Sequence, residues 1–85
     1  MRIKISLMIK VVILESDIEK VARDAAIIFL NKKYPSAHPL NWDLELINMI
    51  ENDIATAYRF ETHIPVPDNR VDVHYEKETK TFYAC

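Results

Sequence analysis

Apolar and polar residues alternate along the start of the chain. One face of the alternation would carry Ile3, Ile5, Leu7, Ile9, Val11 and Ile13, and the other Arg2, Lys4, Ser6, Met8 and Lys10. A period of two over this length predicts a long, half-buried strand. Because a long strand with few charges pairs readily with another strand, we expect it to be central in a sheet or to pair with its copy in a homodimer.

The apolar period becomes helical in the next segment. Residues 16–19, Ser-Asp-Ile-Glu, match a capping box, and two lysines followed by a proline at residues 32–35 mark a helix end. We therefore predict a helix over residues 16–33. Its core stripe would consist of Ile18, Val21, Ala22, Ala25, Ile28 and Phe29. Ile27 falls opposite this stripe and offers a second face for a homodimer.

A second helix is predicted to follow Asn41, the expected N-cap, and to run to about residue 54. Its inward face would carry Leu44, Leu46, Ile47, Ile50 and Ile54. Trp42 and Met49 are seven residues apart, so their side chains would share one flank of this helix.

Three alternating segments complete the chain. Residues 55–64 place Tyr58, Phe60, Thr62 and Ile64 on one side, and Arg59, Glu61 and His63 on the other. Residues 70–76 place Val71, Val73 and Tyr75 opposite Arg70, Asp72, His74 and Glu76, and residues 80–85 would form a last strand. The sequence therefore predicts one α+β domain over residues 1–85, in the order β-α-α-β-β-β. Its antiparallel sheet would carry two helices on one face.

Glycine does not occur among the 85 residues. Phosphate loops, dinucleotide-binding turns and nucleophile elbows depend on glycine, because it takes positive φ freely and lets the backbone approach a ligand. A chain this short also has little room for a deep pocket. We therefore expect no cofactor and no enzymatic activity.

The net charge of −2 is unevenly distributed. Residues 1–33 carry seven Lys or Arg and four Asp or Glu, whereas residues 34–85 carry four and nine. Neither half is extreme, so the charge does not require a polyanionic partner.

The composition also bears on where the protein acts. Cys85 has no second cysteine with which to form a disulfide, which favours a reducing, cytoplasmic location. Lys4 and Lys10 interrupt the first apolar run, so we expect neither a signal peptide nor a membrane span. Eleven Ile, seven Lys and five Asn indicate an AT-rich coding genome, such as that of a phage or another mobile element.

Our leading hypothesis is a small interaction protein, an inhibitor, adaptor or regulator, that presents a preformed surface to another protein. The partner-binding surface would consist of Trp42, Leu46 and Met49 with the acidic Asp43 and Glu45, because Trp and Met are enriched at interface cores. The alternative for Trp42 is that its indole covers the edge of the domain's own core.

A nucleic-acid-binding module is the first alternative function. Lys4, Lys10, Arg59 and Arg70 would lie on the open face of the sheet and contact phosphates. Two observations oppose it. The sheet aromatics share parity with the core residues, and the second half of the chain is acidic.

A small enzyme with a site shared across a homodimer is the second alternative. His63 and His74 would lie on neighbouring strands with carboxylates close by, as metal binding or acid–base chemistry requires. The simpler interpretation is a solvated face with cross-strand charge pairs.

Overall fold

The computed structural model describes residues 3–5, 15–37 and 39–85. The elements are β1 (Ile3–Ile5), α1 (Glu15–Lys33), β2 (Leu44–Glu51), β3 (Ala55–Thr62), β4 (Arg70–Glu76) and β5 (Thr81–Ala84). The predicted α+β class with an antiparallel sheet is confirmed. The observed order is β-α-β-β-β-β, so the predicted second helix was wrong.

The five strands form one sheet in the order β1-β5-β4-β3-β2, and every neighbouring pair is antiparallel. Strands β2 to β5 therefore form a meander, and β1 pairs with β5 at the far edge. Among the described residues, Ile3–Ile5 lies at an edge of the sheet rather than at its centre, and pairing of the first strand with its copy in a homodimer stays a prediction. The rest of that predicted strand, including Lys10, lies outside the described residues.

The predicted helix over residues 16–33 is confirmed to within one residue at its start. Ala22, Ala25, Ala26, Phe29 and Leu30 are buried at spacings of three and four, so this face meets the sheet. Its three alanines let the helix axis approach the strands closely. Ile27 is partly buried and packs against the core rather than facing away from it. The side chain of Ser16, the predicted capping residue, is not among those that the structure describes.

The core lies between α1 and one face of strands β3, β4 and β5. The buried residues of β3 and β4 include those predicted for the inner face, Tyr58, Phe60, Thr62, Val71, Val73 and Tyr75. Thr56, Phe82 and Ala84 are buried on the same face. Since side chains along a strand point alternately to opposite faces, the residues between them lie on the outer face, away from α1.

The residues predicted to form a second helix instead form β2. Leu44 and Leu46 pair with Thr62 and Phe60, on the helix side of the sheet, and the register then shifts between Leu46 and Asn48. This bulge inserts one extra residue, Ile47. Each later side chain of β2 therefore lies on the opposite face of the sheet from the one that unbroken alternation would give. Apolar residues that alternate on each side of a bulge resemble a helical period, which explains the error.

Trp42 lies in the core just before β2, with 3 % of its surface exposed. Its indole Nε1 donates a hydrogen bond to Asn31 Oδ1 at 2.8 Å, and its ring centroid lies 6.4 Å from that of Tyr34. The Thr62 hydroxyl donates to the Trp42 carbonyl. Trp42 therefore covers the domain's own core, and the predicted exposed flank shared with Met49 was wrong.

Among the described residues of this glycine-free chain, Asp43 and Lys80 adopt positive φ, at 53° and 56°. Lys80 ends the turn between β4 and β5. A residue with a Cβ is disfavoured in the left-handed region, whereas glycine occupies it without a steric penalty.

Lys80→Gly is therefore expected to raise the free energy of unfolding by about 1 kcal/mol, since the relief of strain exceeds the added chain entropy. Urea denaturation measures the change. Glu78→Gly, in the same turn but not at positive φ, is the matched control and should lower stability. Equal effects of the two substitutions would contradict the backbone argument.

Candidate functional site

The single described helix covers only part of the sheet. It packs on β4, β5 and β3. Five strands spaced about 4.8 Å apart span about 19 Å between the outer axes, whereas a helix with its side chains is about 10–12 Å across. Helix α1 reaches the start of β2 through Arg23, whose Nη1 donates to the Leu44 carbonyl. Most of β2 is therefore not covered by α1.

Exposed apolar side chains concentrate on β2 and the turn that follows it. The exposed fractions are 37 % for Ile47, 51 % for Met49, 63 % for Ile50 and 76 % for Ile54. We call these four residues the β2 patch. Leu40 is the other large hydrophobic residue found exposed in the described ranges. Single exposed apolar residues are common, but a cluster on one element is typical of an interaction surface.

Strand β2 is also an edge strand. It pairs with β3 on one side, and no described strand pairs with its other side. An edge strand presents backbone N–H and C=O groups that another strand can bond. Two features oppose such pairing here. One is the bulge at Ile47, and the other is Asn48, whose side-chain oxygen accepts the Met49 N–H at 2.9 Å.

Acidic residues flank the β2 patch. Asp43, Glu45, Glu51 and Asp53 are all exposed, and residues 41–54 contain no Lys or Arg. Two of the four carboxylates contact cationic or titratable groups on neighbouring elements. Glu45 lies 3.3 Å from His63 Nε2, and Glu51 lies 2.9 Å from Lys77 Nζ. The edge is therefore apolar at its centre and negative at both ends.

The predicted partner-binding residues differ in how far the structure exposes them. Met49, Asp43 and Glu45 are exposed on or beside β2, and Leu46 is half-buried there. Trp42 is buried and contributes no exposed surface for an anchor. Ile47, Ile50 and Ile54 were missed, because the helical interpretation placed them inside.

The outer face of the sheet carries paired charges. Arg59 Nε and Nη2 donate to the two carboxylate oxygens of Asp72 at 2.8 and 3.1 Å. This hydrogen-bonded contact raises the pKa of Arg59 further above its ordinary value. Arg70 lies opposite Glu61 in the register of β3 and β4. The cations of this face therefore have carboxylates beside them.

The other predicted nucleic-acid contacts gain no support from the sheet. Lys4 lies on β1 opposite Tyr83, and its side chain is outside the description, as is all of Lys10. The aromatic rings of Tyr58, Phe60, Tyr75 and Phe82 are buried against α1. They provide no stacking platform on the outer face.

The two candidate histidines are not neighbours. His74 lies opposite Ala57 on β3, and His63 comes just after the end of β3, six residues beyond Ala57, which corresponds to about 20 Å. Their predicted proximity was wrong. In the part of the chain that the structure describes, no group of three His, Cys, Asp or Glu residues could hold a metal ion.

Two shallow depressions on the outer face adjoin the β2 patch. One of about 280 Å³ is lined by Asn48, Ile50 and Ala57, among others. The second, of about 380 Å³, is lined by residues that include Ile54 and Ala55. The sheet dips where the alanines stand between larger side chains. The surface available to a partner therefore extends from the edge of β2 onto the outer face.

Comparisons with known proteins give no match to a family model, a curated protein or a solved structure. No helix in the described part of the chain is long and apolar enough to cross a membrane.

The contact between Glu51 and Lys77 makes the end of β2 sensitive to pH. The hydrogen bond from Lys77 and its positive charge hold the pKa of Glu51 below its ordinary value. A carboxylate with a lowered folded-state pKa stabilises the fold above its unfolded pKa, about 4.3. That contribution is lost as the pH falls through the folded-state pKa.

Glu51→Gln should therefore unfold at a lower urea concentration than the wild type at about pH 6, and at nearly the same concentration at about pH 2, where both side chains are neutral. In a Lys77→Met background, the difference between Glu51 and Gln should depend much less on pH. A gap that stays constant from acid to neutral pH in the natural background would contradict the assignment.

Proposed function

We propose that this chain is a non-enzymatic protein-binding module that acts as a small inhibitor, adaptor or regulator. The observation that carries the proposal is the concentration of exposed Ile47, Met49, Ile50 and Ile54 on one edge strand and its turn. These side chains lie outside the cover of α1, and apolar area buried by a partner contributes about 25 cal/mol per Å² before the costs of association.

The charge around the β2 patch supports a protein partner rather than a nucleic acid. Asp43, Glu45 and Asp53 would repel phosphates, whereas they would attract basic side chains at the rim of an interface; Glu51 is already paired with Lys77. On the outer face, Arg59 already forms a bidentate salt bridge with Asp72. The acidic, apolar edge therefore favours the leading hypothesis over its nucleic-acid alternative.

The remaining features are consistent with the same proposal. The separation of His63 from His74 removes the constellation that had suggested a small enzyme. Ile27 packs against the core, which weakens the case for a homodimer through that helix face. We further propose a cytoplasmic location and a phage or mobile-element origin, which rest on the single cysteine and the composition.

The test is partner capture by tagged protein from an extract of the native host, with identification by mass spectrometry. Loss of Ile50 and Ile54 side chains, in the Ile50→Ser/Ile54→Ser variant, should reduce recovery of the specific partner about ten-fold or more. The fold should be retained, because both side chains are already exposed.

Leu40→Ser is the control, since it removes an even more exposed apolar side chain that lies outside the β2 patch. It should capture the partner as the wild type does. Undiminished capture by the double variant, or equal loss with Leu40→Ser, would contradict the proposed surface.

A further inference from the structure

The β2 patch lies on a strand and its following turn, and the outer edge of that strand has no neighbour among the described residues. We propose that the partner supplies an extended segment, apolar at its centre and basic at its ends, which adds to the sheet alongside β2. This inference rests on the proposed function and specifies the chemistry of the partner. Strand addition uses backbone hydrogen bonds for affinity and alternate side chains for specificity.

The regular part of β2 sets the length of the paired segment. From Asn48 to Glu51 the strand keeps an unbroken register with β3, opposite Arg59 to Thr56. The bulge at Ile47 interrupts the ladder before that point. An added strand would therefore pair along about four residues, which matches an apolar centre of similar length.

The alternation of β2 sets where the partner's apolar side chains lie. Met49 pairs with Tyr58 and so lies on the helix side of the sheet, whereas Ile50 pairs with Ala57 and lies on the outer side. Both side chains are more than half exposed. A neighbouring strand with apolar residues on both faces would cover both of them.

The charges decide between a second copy of this chain and a basic strand. Each β2 segment, residues 41–54, carries four carboxylates and no Lys or Arg. Glu51 contacts Lys77, so two copies paired through this edge would bring the other three carboxylates of each copy, six in all, together. Like charges on adjacent strands are destabilising. Lysine or arginine at both ends of the added segment would instead meet Glu45 at one end and Asp53 at the other.

Asn48 controls access to this edge. Its side-chain oxygen accepts the Met49 N–H, so this amide is satisfied within β2. A partner carbonyl that pairs with Met49 must displace the Asn48 side chain. This local bond explains how an apolar edge strand avoids indiscriminate pairing while it stays open to a strand with matching charge.

The probe is a fluorescein-labelled peptide of about eight residues, with a Val-Ile-Val-Thr centre and two lysines at each end, and binding is followed by fluorescence anisotropy. Replacement of the four lysines by glutamates should weaken binding about ten-fold or more. N-methylation of alternate amides along one edge of the peptide should do the same, because it removes backbone donors while it keeps charge and composition.

The protein variants complete the test. Asn48→Ala should bind the lysine peptide about three- to ten-fold more tightly, since one net hydrogen bond no longer has to be broken. Ile50→Ser should weaken binding, and Leu40→Ser should leave it unchanged. Urea denaturation of each variant establishes that the fold is retained.

Three results would overturn the inference. These are no binding of the lysine peptide, equal binding of peptides N-methylated on either edge, and no gain with Asn48→Ala. If peptide binding fails while the Ile50→Ser/Ile54→Ser variant still loses its host partner, the partner docks on the patch by another mode. The proposed function then stands without strand addition.

Discussion

Helix α1, the one helix in the described part of the chain, is too narrow to cover the five-stranded sheet, and the exposure of the β2 edge depends on that mismatch in width. Helix α1 lies over β4, β5 and β3, where Phe29 and Leu30 meet Phe60, Val73 and Phe82 in a closed core. Strand β2 extends the sheet beyond the helix. Met49, on the helix side of β2, is consequently exposed, whereas Ile50 lies on the outer face of the sheet, which α1 does not cover.

The exposed edge of β2 favours association with a partner and also resists pairing with unrelated strands. Its apolar side chains favour association, whereas the bulge at Ile47, the Asn48 side chain on the Met49 amide and the flanking carboxylates all oppose indiscriminate pairing. Such a combination selects a partner by shape and charge together. The buried Trp42 fixes the chain just before β2, because its indole N–H donates to Asn31 and its carbonyl accepts from the Thr62 hydroxyl.

The sequence allowed the correct prediction of α1 and of the faces of β3 and β4, because their periods run without interruption. It misled over β2, where one inserted residue changed an alternating pattern into a helical one. Asn52 was the missed signal. Its side chain accepts the N–H groups of Ile54 and Ala55 in a tight turn, and an Asn-Asp pair between apolar runs is typical of such turns. The exposure of Ile50 and Ile54 follows from that hairpin and was not visible from composition.

The most direct test of this account is the conformation of residues 44–51 in solution by NMR spectroscopy. The account predicts strand-like chemical shifts for this segment and cross-strand nuclear Overhauser effects between Met49 and Tyr58, which are partners in the register. Helical shifts, with contacts between Leu44 and Ile47 one turn apart, would contradict it. The β2 patch would then belong to a second helix, and the free edge on which the functional argument rests would not exist.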